Sequence, residues 1–389
     1  MCVTAHYIDN EWVLRKRVLN FCPISSHRGV DIGKALEMCL LKRGMESNIF
    51  TITVDNASVN DVAVAYLKSK FANWENSILK GKWLHVRCTA HVINLIVPDG
   101  LSHIGNSVDH VRVAVKYIRQ SPQRLTKFKE FAEIEKCMST NSLILDVPTR
   151  WNSTYLMLET AQKYERAFGR YDNEESHYRE DLDKTGVLTS TDWANVRRLA
   201  KFLEHFYELT LKVSGTLHVT ANGFLDDITF IDAILNNCLC SDKDKDLVSM
   251  ANLMKSKFDK YCGGLKNCNM ATIVASVLDL RNKFEFIEVL LGDMYGNIEM
   301  KSMCAIIKAS LVELYEDYVS IYAPEPTSMC DFSDSPSSSN KRSKSVVMEP
   351  SSMLKEKVRM EMKRRKSESI IQDSKSELDT YLNEDVEDD

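Results

Sequence analysis

Two runs of alternating apolar and polar residues open the chain and predict a pair of strands. They cover Cys2 to Ile8 and Trp12 to Phe21, and the turn-forming pair Asp9-Asn10 lies between them. Alternation of this kind is typical of strands, and a short polar turn between two such runs favours an antiparallel hairpin. Asp9 is interpreted as a turn residue because it stands between the strands.

A mixed pattern of helices and strands follows the hairpin. Helical spacing begins after Ser26, which we expect to be the N-cap, and it stops at Gly44. The run from Ile49 to Val54 is apolar and β-branched, so we expect a strand that is buried on both faces. A further helix and a strand from Trp83 to Val86 complete a β-β-α-β-α-β order. This order predicts a mixed-sheet α/β unit within residues 1–153.

Residues 154–322 show helical spacing throughout. Three stripes of apolar and aromatic residues each repeat at the spacing of one helix face. The stripes are Trp193, Val196, Leu199, Leu203, Phe206 and Tyr207; Met250, Leu253, Met254, Phe258 and Tyr261; and Ile307, Leu311, Leu314, Tyr318 and Ile321. Such stripes are typical of core packing, so we expect a large helical domain here. Residues 323–389 are polar and charged, which predicts a disordered tail.

The composition is that of a globular protein with no membrane partner. The 389 residues are 44% hydrophobic and 27% charged, and 11 of them are cysteines. No apolar stretch approaches the roughly 20 residues that span a bilayer, and the N-terminus lacks a basic region followed by an apolar core. An odd number of scattered cysteines in such a chain favours reduced thiols. We therefore expect an intracellular protein.

Charge is distributed unevenly, although the net charge is only −5. From Arg112 to Lys129 six basic residues occur with no acid between them. Arg112, Lys116 and Arg119 lie at i, i+4 and i+7, so they share one helical face that suits contacts with DNA phosphates. A solvated helix face is the alternative. The run from Lys363 to Lys366 is a candidate nuclear address or nucleic-acid contact, and a solvated charged face is again the alternative.

Three short motifs are candidates for chemistry or binding. Asp55 follows a predicted strand at the edge where open α/β sheets bind ligands, so its carboxylate suits a Mg²⁺ ion or a substrate. A helix N-cap is the alternative. Cys88 and His91 have the spacing of half a zinc site, but no second pair of suitable spacing is evident. Arg150 and Trp151 suit a phosphate and a nucleobase, with core packing as the alternative for Trp151.

Ten segments of the chain are collinear with the motifs of one family. In the first half they are Val3 to Asp9, His27 to Gly29, Ile52 to Ala57, Cys88 to His91, Asn94-Leu95 and Thr149 to Ser153. Further on they are Phe202 to Glu204, Phe206 to Glu208, Lys257 to Tyr261 and Val277 to Arg281, with Leu280 where the family usually has proline. In this order they resemble the hAT superfamily of DNA transposases, and closely its plant RICESLEEPER group, over about residues 1–322.

The resemblance implies an RNase-H-like core interrupted by a helical insertion. In that family three carboxylates hold two divalent metal ions, which serve DNA cleavage and strand transfer. The resemblance makes Asp55 the second of the three acids. It places Cys88 and His91 near the active site, with His91 against the DNA, and it makes Trp151 the residue that stabilises an extruded base.

The resemblance also indicates which parts of the family pattern this sequence does not contain. The first acid and its strand would precede residue 1, and the third acid and the dimerisation region would follow residue 389. We therefore expect one catalytic acid, weak Mg²⁺ binding by Asp55, no cofactor and no enzymatic activity. The predicted fold is α/β plus all-α, with a partial sheet whose missing strand exposes an edge along Ile49 to Val54 that favours self-association.

The leading hypothesis from the sequence is a nuclear, transposase-derived DNA-binding protein. Two alternatives stay open. One is a fragment of an active transposase that cleaves DNA with Mg²⁺. The other is an interaction protein with no DNA role.

Overall fold

The computed structural model describes residues 1–24, 26–102, 105–137, 142–182, 187–215, 218–240, 245–322 and 377–384. Within these residues the protein is mostly helical, with strands only near the N-terminus. The predictions made for Lys363 to Lys366 and for most of the tail lie outside the described residues. None of the described helices is long and apolar enough to cross a membrane.

The predicted N-terminal hairpin is confirmed. Strands β1 (Cys2–Ile8) and β2 (Leu14–Phe21) pair antiparallel, with an irregularity between Val3 and Thr4. Asp9 lies in the turn, where its Oδ1 accepts hydrogen bonds from the N–H groups of Glu11 (3.0 Å) and Val13 (2.9 Å). The hairpin leaves Trp12 and Phe21 exposed to solvent, at 88% and 82% of their surface.

A second, very short sheet joins β3 (Ile52–Val54) to β4 (His85–Arg87) in parallel. The prediction of a doubly buried strand over Ile49 to Val54 is wrong, because only three residues form β3 and Thr53 is exposed. Among the described residues, neither strand pairs with the hairpin, and the second edge of β3 stays unpaired. Self-association through this edge stays a prediction, which sedimentation over a range of protein concentrations can test.

Helices α1 (Gly29–Leu41) and α2 (Ser58–Phe71) pack closely because of two glycines. A Cβ atom on Gly29 would lie 2.3 Å from the Val59 carbonyl oxygen, and one on Gly33 would lie 2.8 Å from the Tyr66 ring. The expectation that Ser26 caps α1 is wrong, because Arg28 occupies the N-cap position. The two helices and the strand pair enclose a small core of Leu40, Val64, Leu67, Phe71 and Leu84.

The remaining described helices surround one large hydrophobic core. They are α3 (Thr89–Leu101), α4 (Gly105–Arg119), α5 (Pro122–Ile134), α6 (Trp151–Gln162), α7 (Glu165–Glu174), α8 (Ser176–Leu182), α9 (Ser190–Val213), α10 (Phe224–Leu239), α11 (Lys245–Cys262), α12 (Met270–Val277), α13 (Lys283–Tyr295), α14 (Asn297–Tyr322) and α15 (Glu377–Asn383). We call this assembly the helical body. Its core extends on both sides of residue 153, so the proposed division into 1–153 and 154–322 stays a prediction.

Most residues of the three predicted stripes are buried. Side chains such as Phe206, Met254 and Ile307 are almost fully enclosed, as expected for core positions. Leu253 and Tyr318 are exceptions, since each leaves more than 40% of its surface exposed. Helix α9 carries the first of these stripes. It begins with a capping box in which Thr189 and Asp192 exchange hydrogen bonds.

Asn269 joins the second sheet to the helical body. Its Nδ2 donates to the carbonyl oxygens of Trp83 (2.7 Å) and His85 (2.6 Å), and its Oδ1 accepts from the Ala271 N–H (2.8 Å) at the start of α12. One amide therefore caps a helix and holds β4. A second link lies nearby, where the Leu79 N–H donates to the Asp317 carboxylate of α14 (2.6 Å).

We predict that Asn269→Asp separates these two roles. Aspartate is a good N-cap and keeps the acceptor for Ala271, but a carboxylate cannot donate to the two carbonyl oxygens. The free energy of unfolding should fall by about 2–3 kcal/mol, because two buried acceptors lose their donor and face a negative charge. Urea denaturation measures this, with Asn10→Asp in the exposed hairpin turn as the control for added charge. Equal stability of the two variants would show that the bridge contributes nothing.

Candidate nucleic-acid interface

The carboxyl ends of β3 and β4 lie side by side. Val54 is paired with Arg87, and the Cys88 N–H donates to the Val54 carbonyl oxygen at 3.0 Å. Asp55 follows β3 and Cys88 follows β4, so the two residues lie next to each other. This is the sheet edge where the sequence predicts a binding site. Helices α2 and α3 begin directly after this point. Their N-cap residues, Ala57 and Cys88, make no side-chain hydrogen bond to the helix N–H groups. Helix N-termini of this kind attract anions.

Asp55 is exposed, and its carboxylate is used locally. Its Oδ1 accepts hydrogen bonds from the Ala57 N–H (2.9 Å) and from Asn60 Nδ2 (2.6 Å). These two hydrogen bonds place Asp55 at the start of α2, close to the N-cap role given above as the alternative. The N-cap position itself is occupied by Ala57. No group of three or more His, Cys, Asp or Glu side chains among the described residues is arranged to hold a metal ion. The residues present therefore do not fit a two-metal centre, and a role for Asp55 in binding Mg²⁺ stays a prediction.

Arg87 and its neighbours form the polar part of this edge that sequence reasoning missed. Arg87 Nη1 donates to Asn56 Oδ1 at 3.2 Å and lies 3.6 Å from Asp61 Oδ1. Burial lowers the pKa of His85, and the positive charge of Arg87 lowers it further, while Asp61 opposes both. His85 is therefore neutral at neutral pH. His85 and Arg87 are two residues apart on β4. Alternate residues of a strand lie on the same face, so this spacing in the sequence predicts that the two side chains share a face.

Two buried nitrogen atoms at this edge have no hydrogen-bond partner among the described residues. They are Asn56 Nδ2 and His85 Nε2. Buried polar groups in folded proteins are nearly always paired, so these two nitrogen atoms stand out among the described residues. Asn56 Nδ2 is a donor and therefore suits an acceptor such as a phosphate oxygen.

Cys88 and His91 lie at the start of α3, as the N-cap residue and within the first turn. Both are half-buried. No further metal-binding side chains accompany them in the part of the chain that the structure describes, so the pair does not complete a zinc site. A contact between His91 and DNA stays a prediction.

Half of the six basic residues in the segment pair with acids from elsewhere in the chain. Arg112 Nε bonds Asp146 Oδ2 at 2.5 Å, and Arg119 donates to the carbonyl oxygen of Leu143. Further along, Arg124 pairs with Asp181 and Lys127 with Glu175. Arg112 is therefore engaged by an acid of the chain, and contacts of Arg112, Lys116 and Arg119 with DNA phosphates stay a prediction. Lys116 is exposed and forms no ion pair with a described residue, and Arg119 also keeps its charge because the carbonyl group it bonds is neutral.

The side chain of Asp146 organises the segment that leads into α6. It is completely buried, and its Oδ1 accepts hydrogen bonds from Ser153 Oγ (3.0 Å) and Thr154 Oγ1 (2.9 Å) while Oδ2 accepts from Arg112. Ser153 Oγ also accepts from the Val147 N–H at 2.7 Å. We call these residues the Asp146 network. It fixes the segment against α4 and was not predicted from the sequence.

Arg150 and Trp151 lie next to the Asp146 network, at the start of α6. Trp151 is 3% exposed and belongs to the main core, so it is not available to stack on a base in this conformation. The core-packing alternative describes its position. Arg150, the N-cap residue of α6, is exposed and has no ion pair with the described residues. Within the described residues, no recorded hydrogen bond or ion pair links this group to Asp55 and Arg87.

Comparison with known proteins gives a consistent result along the chain. Three family models match in succession: the ZBED1 RNase-like domain over residues 1–83, the ZBED1 RNase-like helical domain over 86–202, and the hAT-like transposase, RNase-H fold over 222–318. The first two meet where β4 begins.

Curated relatives of the chain include several plant proteins. The zinc finger BED domain-containing protein RICESLEEPER 2 of Oryza sativa subsp. japonica is 32% identical over 319 residues, which is 82% of this chain and 43% of that protein. The putative AC transposase of Zea mays is 30% identical over 346 residues, covering 86% of this chain and 41% of that protein. The zinc finger BED domain-containing protein DAYSLEEPER of Arabidopsis thaliana is 24% identical over 327 residues, covering 84% and 45%. The chain thus spans less than half the length of these relatives.

A strand pair that ends in Asp55, a helical body and these matches define a transposase-related protein with an RNase-H-type region. The chain belongs to the hAT transposase superfamily, and it is similar to the RICESLEEPER proteins of that group. The resemblance inferred from the motifs is confirmed.

We predict that alanine substitution changes the free energy of unfolding by different amounts at two basic residues one turn apart on α4. Arg112→Ala leaves the buried carboxylate of Asp146 without its cation, so the free energy of unfolding should fall by about 2–4 kcal/mol. Lys116→Ala removes an exposed charge and should change it by less than about 0.5 kcal/mol. Urea denaturation compares the two. A similar loss in both variants would mean that the Asp146 network is not a stabilising contact.

Proposed function

We propose that the chain is a transposase-derived protein that binds DNA and does not cleave it alone. The observation that carries the proposal is the meeting of two helix N-termini and Arg87 at the ends of β3 and β4. Relatives include proteins named as putative transposases, a class of enzyme that acts on DNA. The protein would then act in the nucleus.

Binding through this surface would depend on local charge. With a net charge of −5, the whole molecule does not attract DNA, so contacts must come from particular cations and N–H groups. The N–H groups of α2 and α3 and the guanidinium of Arg87 can donate to phosphate oxygens. Lys116 and Arg150 add two exposed charges in the neighbourhood of the Asp146 network. Such contacts set orientation and affinity without reading base sequence.

The absence of cleavage is proposed from the chemistry at Asp55. Two-metal cleavage needs several carboxylates around both ions, whereas a single exposed aspartate, already accepting two hydrogen bonds, holds a divalent ion only weakly. An active transposase stays the alternative, because the relatives are more than twice as long as the matched region and other segments can supply acids. The exposed side chains of Trp12 and Phe21 favour the other alternative, an interaction protein without a DNA role.

We predict that DNA affinity falls steeply with salt and depends on Lys116 and Arg150. In the double variant Lys116→Ala/Arg150→Ala, the slope of log affinity against log salt should become shallower by about two, because each phosphate contact contributes about 0.9. Fluorescence anisotropy with a labelled duplex, between low and moderate salt, measures the slope. The control is Lys201→Ala/Lys301→Ala, which removes the same charge from exposed positions on α9 and α14.

Two results would contradict this prediction. Identical slopes for both double variants would show that Lys116 and Arg150 do not contact DNA. No binding of the native sequence at low salt would reject the DNA role altogether and favour the interaction protein.

We also predict no DNA cleavage by this chain. Incubated with supercoiled plasmid and Mg²⁺, it should nick DNA no faster than its Asp55→Asn variant, because one acid cannot complete the metal site. Conversion of plasmid to the open circular form measures the rate. Nicking by the native sequence that Asp55→Asn abolishes would restore the active transposase.

A further inference from the structure

The C-terminal helix α15 lies on the corner between α12 and α13. Leu378 is 8% exposed and belongs to the main core, and Leu382 packs against that core. The Tyr381 hydroxyl donates to the Val277 carbonyl oxygen at the end of α12, at 3.3 Å. Residues 323–376 separate α15 from α14, so this short helix contacts the helical body as a segment distant in sequence.

Lys283 makes further polar contacts to this helix. Its Nζ donates to the carbonyl oxygens of Tyr381 (3.0 Å) and Glu384 (3.1 Å), and it lies 4.7 Å from the centre of the Tyr381 ring. The last carbonyl groups of a helix have no partner within the helix and carry its negative end. A lysine ammonium satisfies them, and an aromatic face adds a favourable interaction with the cation.

The position of Lys283 is unusual for a lysine in two ways. Only 3% of the residue is exposed, although a charged side chain is costly to bury unless it is hydrogen-bonded. Its φ is +49°, a left-handed conformation that glycine and asparagine adopt far more readily. Among the described residues, the recorded hydrogen-bond acceptors of Nζ both belong to the end of α15. Within the described chain, the hydrogen bonds of this ammonium therefore depend on the segment.

The corner itself is held by contacts that do not involve α15. The Lys283 N–H donates to the Asp279 carbonyl oxygen at 3.0 Å. The Asp279 carboxylate accepts from Asn222 Nδ2 at 2.6 Å and pairs with Arg281. Hydrogen bonds from Arg281, more than any other cause, lower the pKa of Asp279 to about 2, so the carboxylate stays charged. These contacts join residues of the corner to one another and to Asn222, and none of them involves α15.

We propose that the α12–α13 corner is a peptide-docking site and that its occupant is the chain's own segment 377–384. The segment is a short acidic helix in which Leu378 and Tyr381 are the apolar anchors. Lys283 recognises the carbonyl end of the helix and so fixes its direction. Because residues 323–376 connect it to α14, the segment is a ligand held at high local concentration, and it can be replaced by a free peptide of the same sequence.

A competition experiment on the full chain tests the site. The variant Leu378→Asp/Tyr381→Ala weakens docking of the chain's own segment and leaves the corner intact. A labelled synthetic peptide of residues 374–389 should bind this opened chain in fluorescence anisotropy. It should bind the native chain about tenfold or more weaker, because the tethered segment competes. A peptide that carries the same two changes is the control and should not bind. Failure of the native peptide to bind the opened chain would overturn the proposal.

Variants at Lys283 in the opened chain test how the site selects its ligand. Lys283→Asn keeps a residue that tolerates the left-handed conformation, and Lys283→Met keeps the apolar stem, yet both lack the ammonium. Each should weaken peptide binding about tenfold or more, as expected for a lost charge-assisted contact. The matched control is Lys308→Met on α14. The ammonium of Lys308 lies over the ring of Phe284 on α13, and the variant should bind the peptide normally. Circular dichroism confirms that each variant is folded, and unchanged binding by a folded Lys283→Asn chain would reject the role of Lys283.

Discussion

The amide of Asn269 determines the geometry of the candidate interface. Strands β3 and β4 have three residues each, and a two-stranded parallel sheet of that size does not maintain itself in water. Parallel strands are normally covered by helices on both faces, which also supply their rigidity. Here the carbonyl groups of Trp83 and His85 receive their donor from Asn269, which also caps α12. The places of Asp55 and Cys88, and the start of α2 and α3, therefore depend on a residue of the helical body. The strand pair and the helical body cannot be understood as independent parts.

Sequence periodicity predicted those features that local spacing controls. The hairpin, the helices with apolar stripes and the place of Asp55 after a strand all follow from residues close together in the chain. The basic segment shows where this reasoning stops. A run from Arg112 to Lys129 without acids indicates a positive surface only if the fold brings no acids to it. In the folded chain Asp146, Asp181 and Glu175 neutralise three of the six basic residues, and Arg119 is bound to a carbonyl group.

Contacts between distant polar groups leave no pattern in the sequence. Asn269 bonds two carbonyl groups more than 180 residues away, and any residue can supply a carbonyl group. Lys283 has a conformation that favours glycine or asparagine, so its identity alone would argue against its observed position. Trp151 is a different case. It stands at the first position of α6, and the spacing to Tyr155 and Leu158 on one helix face would have favoured the core over a base-stacking role.

The balance of charge at the strand ends favours a ligand that accepts hydrogen bonds over a cluster of cations. The family chemistry brings several carboxylates together so that metal ions offset their repulsion. At this edge Asp55 has its Oδ1 engaged by Ala57 and Asn60, and the neighbouring Asp61 lies within 4 Å of both Arg87 and His85. What remains at the strand ends is a set of donors: the partly exposed Arg87 and the first N–H groups of two helices. Donors in this arrangement complement a phosphate without a metal ion. The proposed contact with DNA at these strand ends therefore rests on N–H donors and one guanidinium, and not on bound metal ions.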